Sequence, residues 1–410
     1  MVRATHASGF RAAAAFALCV VLAAAARADV VMDWNAAADV IATDKRLASP
    51  VHGRALALLH VAMFEAVNSI DRRYAPYKLN LVADRITSRE AAAASAGHAV
   101  LSAFYPDQEA SLDLLLARGL DAVSEGPAKQ RGIIIGRKAA ADLIDLRAAD
   151  FETAADSYRP FTTPGAYVPT ASAVGHDVGR FMPWVMTSAA QFRPAPPPGL
   201  TSEAWTRDVN EIRDIGGLKS TTRTAEQTST ARFWFLTGAR TYNPIVQQVA
   251  SAKHMDLLDC ARLYALASMA GMDAYIAVFD AKYAYNFWRP VTAIRNADLS
   301  GNAGTPRDAS WLPLGETPMH PEYPCAHCIT SAAIAAVLRG TVGENVGEFT
   351  LVSPTAPGMT RRWTRLSDYS NEVSNARIWA GFHYRFSTEA GKEMGRKIGE
   401  LTVSTQLRPR

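Results

Sequence analysis

The chain is poor in cysteine: four in 410 residues, too few for a dense disulfide framework. It lacks a marked charge of either sign, with 43 lysines and arginines against 39 acidic residues. It also lacks the composition of a disordered or collagen-like protein. Hydrophobic residues make up 49% and charged residues 20%, as in soluble globular proteins long enough to bury one large core or two smaller ones. A Walker A lysine loop, a dinucleotide glycine fingerprint, a nucleophile-elbow serine and a paired-histidine zinc helix are all missing, which removes the commonest nucleotide and hydrolase chemistries.

The first 28 residues read as a secretory leader. Arg3 and Arg11 form a basic start, Ala12 to Ala26 is apolar, and Ala26-Arg27-Ala28 is a small-x-small cleavage signal before Asp29. The apolar run has 15 residues, whereas a spanning helix needs about 20. Cys19 lies in this run and leaves with it. Three of the basic residues and none of the acidic ones sit in the leader. The mature chain is therefore near neutrality, and the electrostatic case for nucleic acid disappears. Beyond the leader, Arg262, Asp273 and Asp280 interrupt the best apolar run, so no stable membrane anchor is expected. The expected location is exported, periplasmic or secreted.

Helical periodicity dominates the rest. Leu56, Leu59, Met63, Ala66, Val67 and Ile70 recur at three-to-four spacing, which gives one apolar helix face. Similar patterns cover roughly 88–104, 109–124, 128–148, 202–215, 223–236, 256–288, 325–339, 368–383 and 388–403. The stretch from about 151 to 200 is rich in Pro, Gly, Thr and Phe. It reads as a long ordered connection whose aromatics (Tyr158, Phe161, Tyr167, Phe181, Trp184) pack on something. The expected fold is all-α: an N-terminal helical part over 29–200 with that connection, and a C-terminal helical part over 201–410. Cys260 reads as a buried apolar residue.

Three segments in the last third carry chemistry. In Lys282-Tyr-Ala-Tyr-Asn-Phe-Trp-Arg289-Pro290 the two cations lie seven apart, which predicts one shared helix face. In His320-Pro-Glu-Tyr-Pro324-Cys325-Ala326-His327-Cys328, Pro324 opens a helix whose free amides favour an anion, with His327 in its first turn. In Ala376 to Ser387, Arg377 and His383 are six apart, again near one predicted face. Three cations, a helix N-terminus and two imidazoles suit a tetrahedral or trigonal-bipyramidal oxyanion such as phosphate or vanadate. Arginines bind oxygen pairs, a lysine adds a point charge, one histidine bonds to the central atom and the other moves protons.

This ordered set resembles the signature of the vanadium-dependent haloperoxidase and type-2 phosphatidic acid phosphatase superfamily. Its pattern is lysine, six residues, arginine-proline; then proline-serine-glycine-histidine; then arginine, five residues, histidine. Here 33 residues separate Pro290 from Pro324 and 49 separate His327 from Arg377, and the whole spans 282–387. The resemblance implies two packed helical bundles in one compact domain. It makes His383 the ligand of vanadium in a haloperoxidase, or the nucleophile forming phosphohistidine in a phosphatase. It makes His327 the acid–base residue, and Lys282, Arg289 and Arg377 the oxyanion-binding groups, with Lys282 also polarising peroxide. Cys325 and the Ala326 amide stand where the family's serine and glycine contact the oxyanion. His320 matches a position that is histidine in bromide-oxidising members, which points to bromide or iodide; a solvent-facing loop histidine is the other reading. His383-Tyr-Arg-Phe resembles the haloperoxidase form. The implied reaction is vanadate-dependent oxidation of halide by hydrogen peroxide, with a small organic acceptor. The alternatives are an exported acid phosphatase acting on phosphomonoesters and a non-catalytic oxyanion binder. Oligomeric state stays open, a homo-oligomer included.

Three positions depart from the pattern: Cys325 for serine, Ala326 for glycine and Ser387 for aspartate. A thiolate at Cys325 would repel the anion. A Cys325–Cys328 disulfide, which an exported compartment permits, resolves this. Ser387 removes a carboxylate that would orient His383. Two rivals use the same cysteines. Zinc on His320, Cys325, His327 and Cys328 would leave Lys282, Arg289 and Arg377 unexplained. A thiol–disulfide exchanger would need a strand-helix-strand context that is missing.

Overall fold

The computed structural model describes residues 30–151, 158–169 and 171–410; the leader lies outside them. Thirteen α-helices, four short 3-10 helices and one two-stranded hairpin make up the regular structure of the described residues. The first five helices are α1 (Val30–Asp44), α2 (Ser49–Asp71), α3 (Arg89–Phe104), α4 (Glu109–Asp121) and α5 (Pro127–Leu146). After the long connection come α6 (Glu203–Gly216), α7 (Ala225–Phe233), α8 (Ala239–Ala252), α9 (Leu257–Tyr285) and α10 (Pro290–Arg295). The last part holds α11 (Ala326–Val342), the antiparallel pair β1 (Asn345–Val352) and β2 (Thr360–Arg365), α12 (Leu366–Trp379) and α13 (Arg385–Thr405). No helix among them is long and apolar enough to cross a membrane.

Two helices hold the core. In α2 every residue from Ala55 to Ile70 is buried, and α9 is buried from Cys260 to Phe279 apart from Arg262. Helices apolar on all sides pack as the centre of a bundle. Here α2 and α9 pack against each other, and one cluster of buried side chains runs from Val31 to Leu407 through both halves. The expected all-α pair of bundles is therefore joined by a shared core.

The connection is strapped onto this core. Asp273 of α9, fully buried, accepts hydrogen bonds from the backbone of Trp184, Val185 and Met186. Arg147 lies 4.1 Å from the Trp184 ring centroid. Farther along, Tyr285 donates to Pro194 O and Tyr323 to Ala195 O. Phe161 departs from expectation: it is 55% exposed.

Three stretches gave no clear periodic signal. Helix α8 carries Pro244 in its interior, a residue that normally argues against a helix. Helix α1 begins where the leader pattern ends. The hairpin strand Thr360–Arg365 is half arginine and mostly exposed.

Candidate active site

Helix ends, not helix faces, bring the three segments together. Helix α9 stops at Tyr285 because Asn286 adopts a left-handed φ of 45°, its N–H bonding to Lys282 O at 2.8 Å. Arg289 is the N-cap of α10, followed by Pro290. The expected shared face for Lys282 and Arg289 is thus wrong: one cation leaves the end of a helix and the other precedes the next. The same correction applies to Arg377 and His383. Helix α12 ends at Trp379, and Gly381 turns the chain with φ 79°, so His383 lies in the connection to α13. A Cβ on Gly381 would meet Gly216 O at 2.5 Å, so only glycine lets this turn seat against α6. Pro324 also sits one residue further out than expected, because Cys325 is the N-cap of α11.

All these side chains converge in the interior. Lys282, Arg289, Arg377, His383 and Glu322 are each 1% exposed or less, and His327 is buried beside them. Arg289 donates from Nε to His320 O at 2.9 Å and from Nη1 to Phe382 O at 3.0 Å; Nη1 also lies 3.3 Å from His383 Nε2. Its Nη2 is 3.0 Å from His320 Nδ1. His320 is thus tied to the site's arginine, against the reading of a solvent-facing loop residue. Arg377 donates to Trp234 O at 2.6 Å and stacks over Phe382, while its Nε has no partner. The His327 ring lies beside the backbone of Phe235 and Leu236, and its Nε2 is unpartnered.

Lys282 differs from expectation. Its ammonium donates to the backbone carbonyls of Pro321, Glu322 and Pro324. An ammonium has three protons, so Lys282 brings charge to the cage while its donors hold the loop. Cys325 also departs from the expected donor role. Its Sγ is bonded to Cys328 Sγ and accepts from Cys328 N at 3.2 Å, so it has no proton to offer an anion. The disulfide itself is the one expected. It removes two ligands from the zinc reading, and no group of three or more metal-ligating side chains forms among the described residues. Cys260 is fully buried, as expected.

The residue that sequence reasoning passed over is Glu322. It stands inside the His320–Cys328 segment, five residues before His327, and is not among the candidate residues drawn from that segment. Its Oε1 lies 2.8 Å from His383 Nδ1 and accepts from Tyr384 N at 3.1 Å.

The electrostatics follow from burial. Desolvation, then mutual repulsion among the cations, pushes Lys282 and Arg377 well below their ordinary values. Desolvation lowers Arg289 to about 10, opposed by Glu322. Burial and the neighbouring cations also hold His383, His327 and His320 in the neutral form. Glu322 is raised to about 7 by burial, opposed by Lys282 and Arg289. Three cations thus share one buried carboxylate. Buried charge without a partner is costly, so the cage is short of negative charge. The unpartnered Arg377 Nε and His327 Nε2 are polar atoms without a protein partner. A vanadate or phosphate ion fits all three features. A cleft of 620 Å³ reaches Arg289 from outside, lined by Tyr167, Leu312, Pro313, Leu314, Glu316 and Met319 among others.

The chain is similar to several known proteins. Residues 262–409 match the family described as the VCPO second helical-bundle domain. A vanadium chloroperoxidase from Curvularia inaequalis is 29% identical over 272 residues, 49% of this chain and 44% of that relative. The matched part thus spans less than half of the relative's length. The crystal structure of a bacterial vanadium-dependent iodoperoxidase is similar at a TM-score of 0.79 and 25% identity, covering 92% of this chain and 97% of that one. A bacterial vanadium-dependent chloroperoxidase in its holo form shares the fold at a TM-score of 0.68 and 18% identity, covering 87% and 91%. Motif, fold and these relatives agree in likening the chain to the vanadium-dependent haloperoxidases.

Proposed function

We propose that the chain is a vanadate-dependent haloperoxidase that uses hydrogen peroxide to oxidise halide, with bromide or iodide favoured. The observation that carries this reading is the buried cage, cationic in excess around His383 Nε2. Likeness to an iodoperoxidase over nearly the whole chain supports it. Arg289, Arg377 and the Ala326 amide would hold the oxyanion, with Lys282 adding charge, and His383 Nε2 would be its covalent partner. When bound, vanadate supplies Lewis-acid activation of peroxide. His327, neutral and with Nε2 unpartnered, is suited to take a proton there and return it. His320, fixed on Arg289, would border the halide. The cleft's leucines, prolines and tyrosine suit a small organic acceptor. Export fits the leader pattern and the disulfide, since such bonds persist in oxidising compartments.

The test is reconstitution with orthovanadate. Bromide and iodide oxidation by peroxide is measured beside hydrolysis of a phosphomonoester, with His383→Ala as control. Halide oxidation that needs both vanadate and His383 supports the proposal. Phosphomonoester turnover that vanadate inhibits would instead assign an acid phosphatase working through phosphohistidine. Oxyanion binding with neither reaction would leave a non-catalytic binder.

A further inference from the structure

The position one helical turn after His383 is Ser387, whose Oγ stands 3.4 Å from His383 Nδ1. A serine there brings a neutral hydroxyl at the limit of hydrogen-bond reach. The carboxylate against the ring comes instead from a distant part of the sequence: Glu322, at 2.8 Å. The two residues are separated by 61 positions and meet only in the fold.

Glu322 is over-determined in place. Its N–H bonds to Phe287 O at 2.8 Å. Its carbonyl and those of Pro321 and Pro324 are gathered by the Lys282 ammonium. Its Oε1 receives the Tyr384 N–H. The charge on Glu322 decides the histidine's tautomer. As a carboxylate beside Lys282 and Arg289, Glu322 can only accept, so Oε1 takes the Tyr384 N–H and the nearby Nδ1 carries the proton it shares with Oε1. The lone pair then falls on Nε2, which faces Arg289.

We propose that Glu322 is the positioning residue for His383, fixing its Nδ1–H tautomer so that Nε2 is the atom offered to the oxyanion, with Lys282 clamping the segment that carries it. The role is one of orientation, since a group behind a ligating imidazole fixes both ring and tautomer. This rests on the reading of His383 as the oxyanion's partner.

The test uses the full-length, oxyanion-free protein. Histidine ¹⁵N NMR reads the His383 tautomer, and equilibrium dialysis with inorganic phosphate reads affinity. The parent shows protonated Nδ1 and bare Nε2. Glu322→Ala shifts His383 toward protonated Nε2 and weakens phosphate binding about 10- to 100-fold, the usual cost of losing such a support. Glu322→Ala with Ser387→Asp returns a carboxylate one turn after His383 and restores tautomer and affinity at least in part. Where the alanine variant fails to fold, Glu322→Gln keeps the size, and its amide no longer enforces one tautomer. A variant that keeps both the parent tautomer and the parent affinity overturns the proposal. So does a loss that Ser387→Asp leaves wholly unrepaired, which would mark a general structural defect. A parent with the Nδ1–H tautomer but no halide oxidation would instead sink the haloperoxidase reading alone.

Discussion

A Cβ placed on Gly395 would stand 2.1 Å from the carbonyl oxygen of Ile329. Gly391, Gly395 and Gly399 recur every fourth residue on α13 and meet the backbone of α11 at Cys325, Ile329 and Ala333. The stripe lets the two backbones touch. It thereby sets the distance between the N-terminus of α11, with Cys325 and His327, and the start of α13, just after His383. Alanine is the better helix former by roughly 0.5–1 kcal/mol, but overpacking against backbone costs about 1–3 kcal/mol. The clash wins. Gly395→Ala should lower the urea midpoint and weaken phosphate binding together. Gly199→Ala, with open space around it, should stay within about 0.5 kcal/mol of the parent. Equal behaviour of the two variants would refute the close-packing account.

Arg377 should not tolerate lysine. Its guanidinium does two things at once, donating to Trp234 O and lying 4.6 Å from the Phe382 ring centroid. Its Nε is left for a guest. A lysine keeps the charge and loses the fork and the stacking plane. A hydrogen bond to a charged group is worth about 1.5–3 kcal/mol, so Arg377→Lys should weaken phosphate or vanadate binding by roughly 10- to 100-fold. Dialysis measures this directly. Binding within twofold of the parent would show that Arg377 holds the fold and does not contact the anion.

The Cys325–Cys328 bond should control the same affinity. Reduced, Cys325 would stand at a helix N-terminus among cations, conditions that favour the thiolate. A negative sulfur would then compete with the oxyanion for one cage. Phosphate, which thiols and phosphines do not reduce, is the suitable probe. Parent protein reduced with a phosphine should bind it at least about tenfold more weakly, a change of 1.4 kcal/mol that one close like charge readily exceeds. Cys325→Ser with Cys328→Ala should bind equally with and without reductant. Unchanged affinity in fully reduced parent, confirmed by alkylation of both thiols, would rule this out.

How much of this was legible beforehand depended on the range of the interaction. Periodic burial in α2, α3 and α5 is a local property, and those helices run close to their expected bounds. Lys282, Arg289, His327, Arg377 and His383 could be picked out by type and order, and they do converge. The geometry of their convergence could not. Asn286 and Gly381 end helices in mid-motif, so spacing alone misassigned the faces. Glu322 reaches His383 only after the loop before α11 folds over the end of α9. The three carbonyls that engage Lys282 are likewise set by tertiary structure. Helix α8 stayed hidden because Pro244 opposes the local signal, and packing overrides it.

A buried histidine far from the cage sets a further expectation. His60 of α2 is fully buried, with Nδ1 2.7 Å from Ser268 Oγ and its ring centroid 4.8 Å from that of Tyr264. Burial, with His52 nearby, lowers its pKa from 6.5 to about 3. The unfolded chain therefore binds a proton at His60 that the native state refuses, throughout the interval from pH 6.5 down to about 3. Stability from this group is complete above pH 6.5 and drains away as the pH falls through that interval, at about 1.4 kcal/mol per pH unit. The histidines of the cage add to the same trend, so the parent should be steeply acid-labile. His60→Asn keeps a polar atom near Nδ1 for Ser268 and cannot titrate. Its unfolding free energy, followed by urea titration at several pH values below 6.5, should fall less steeply by about one proton's worth. A slope equal to the parent's would mean that His60 already titrates normally in the folded protein, and that the α2–α9 contact is open to water.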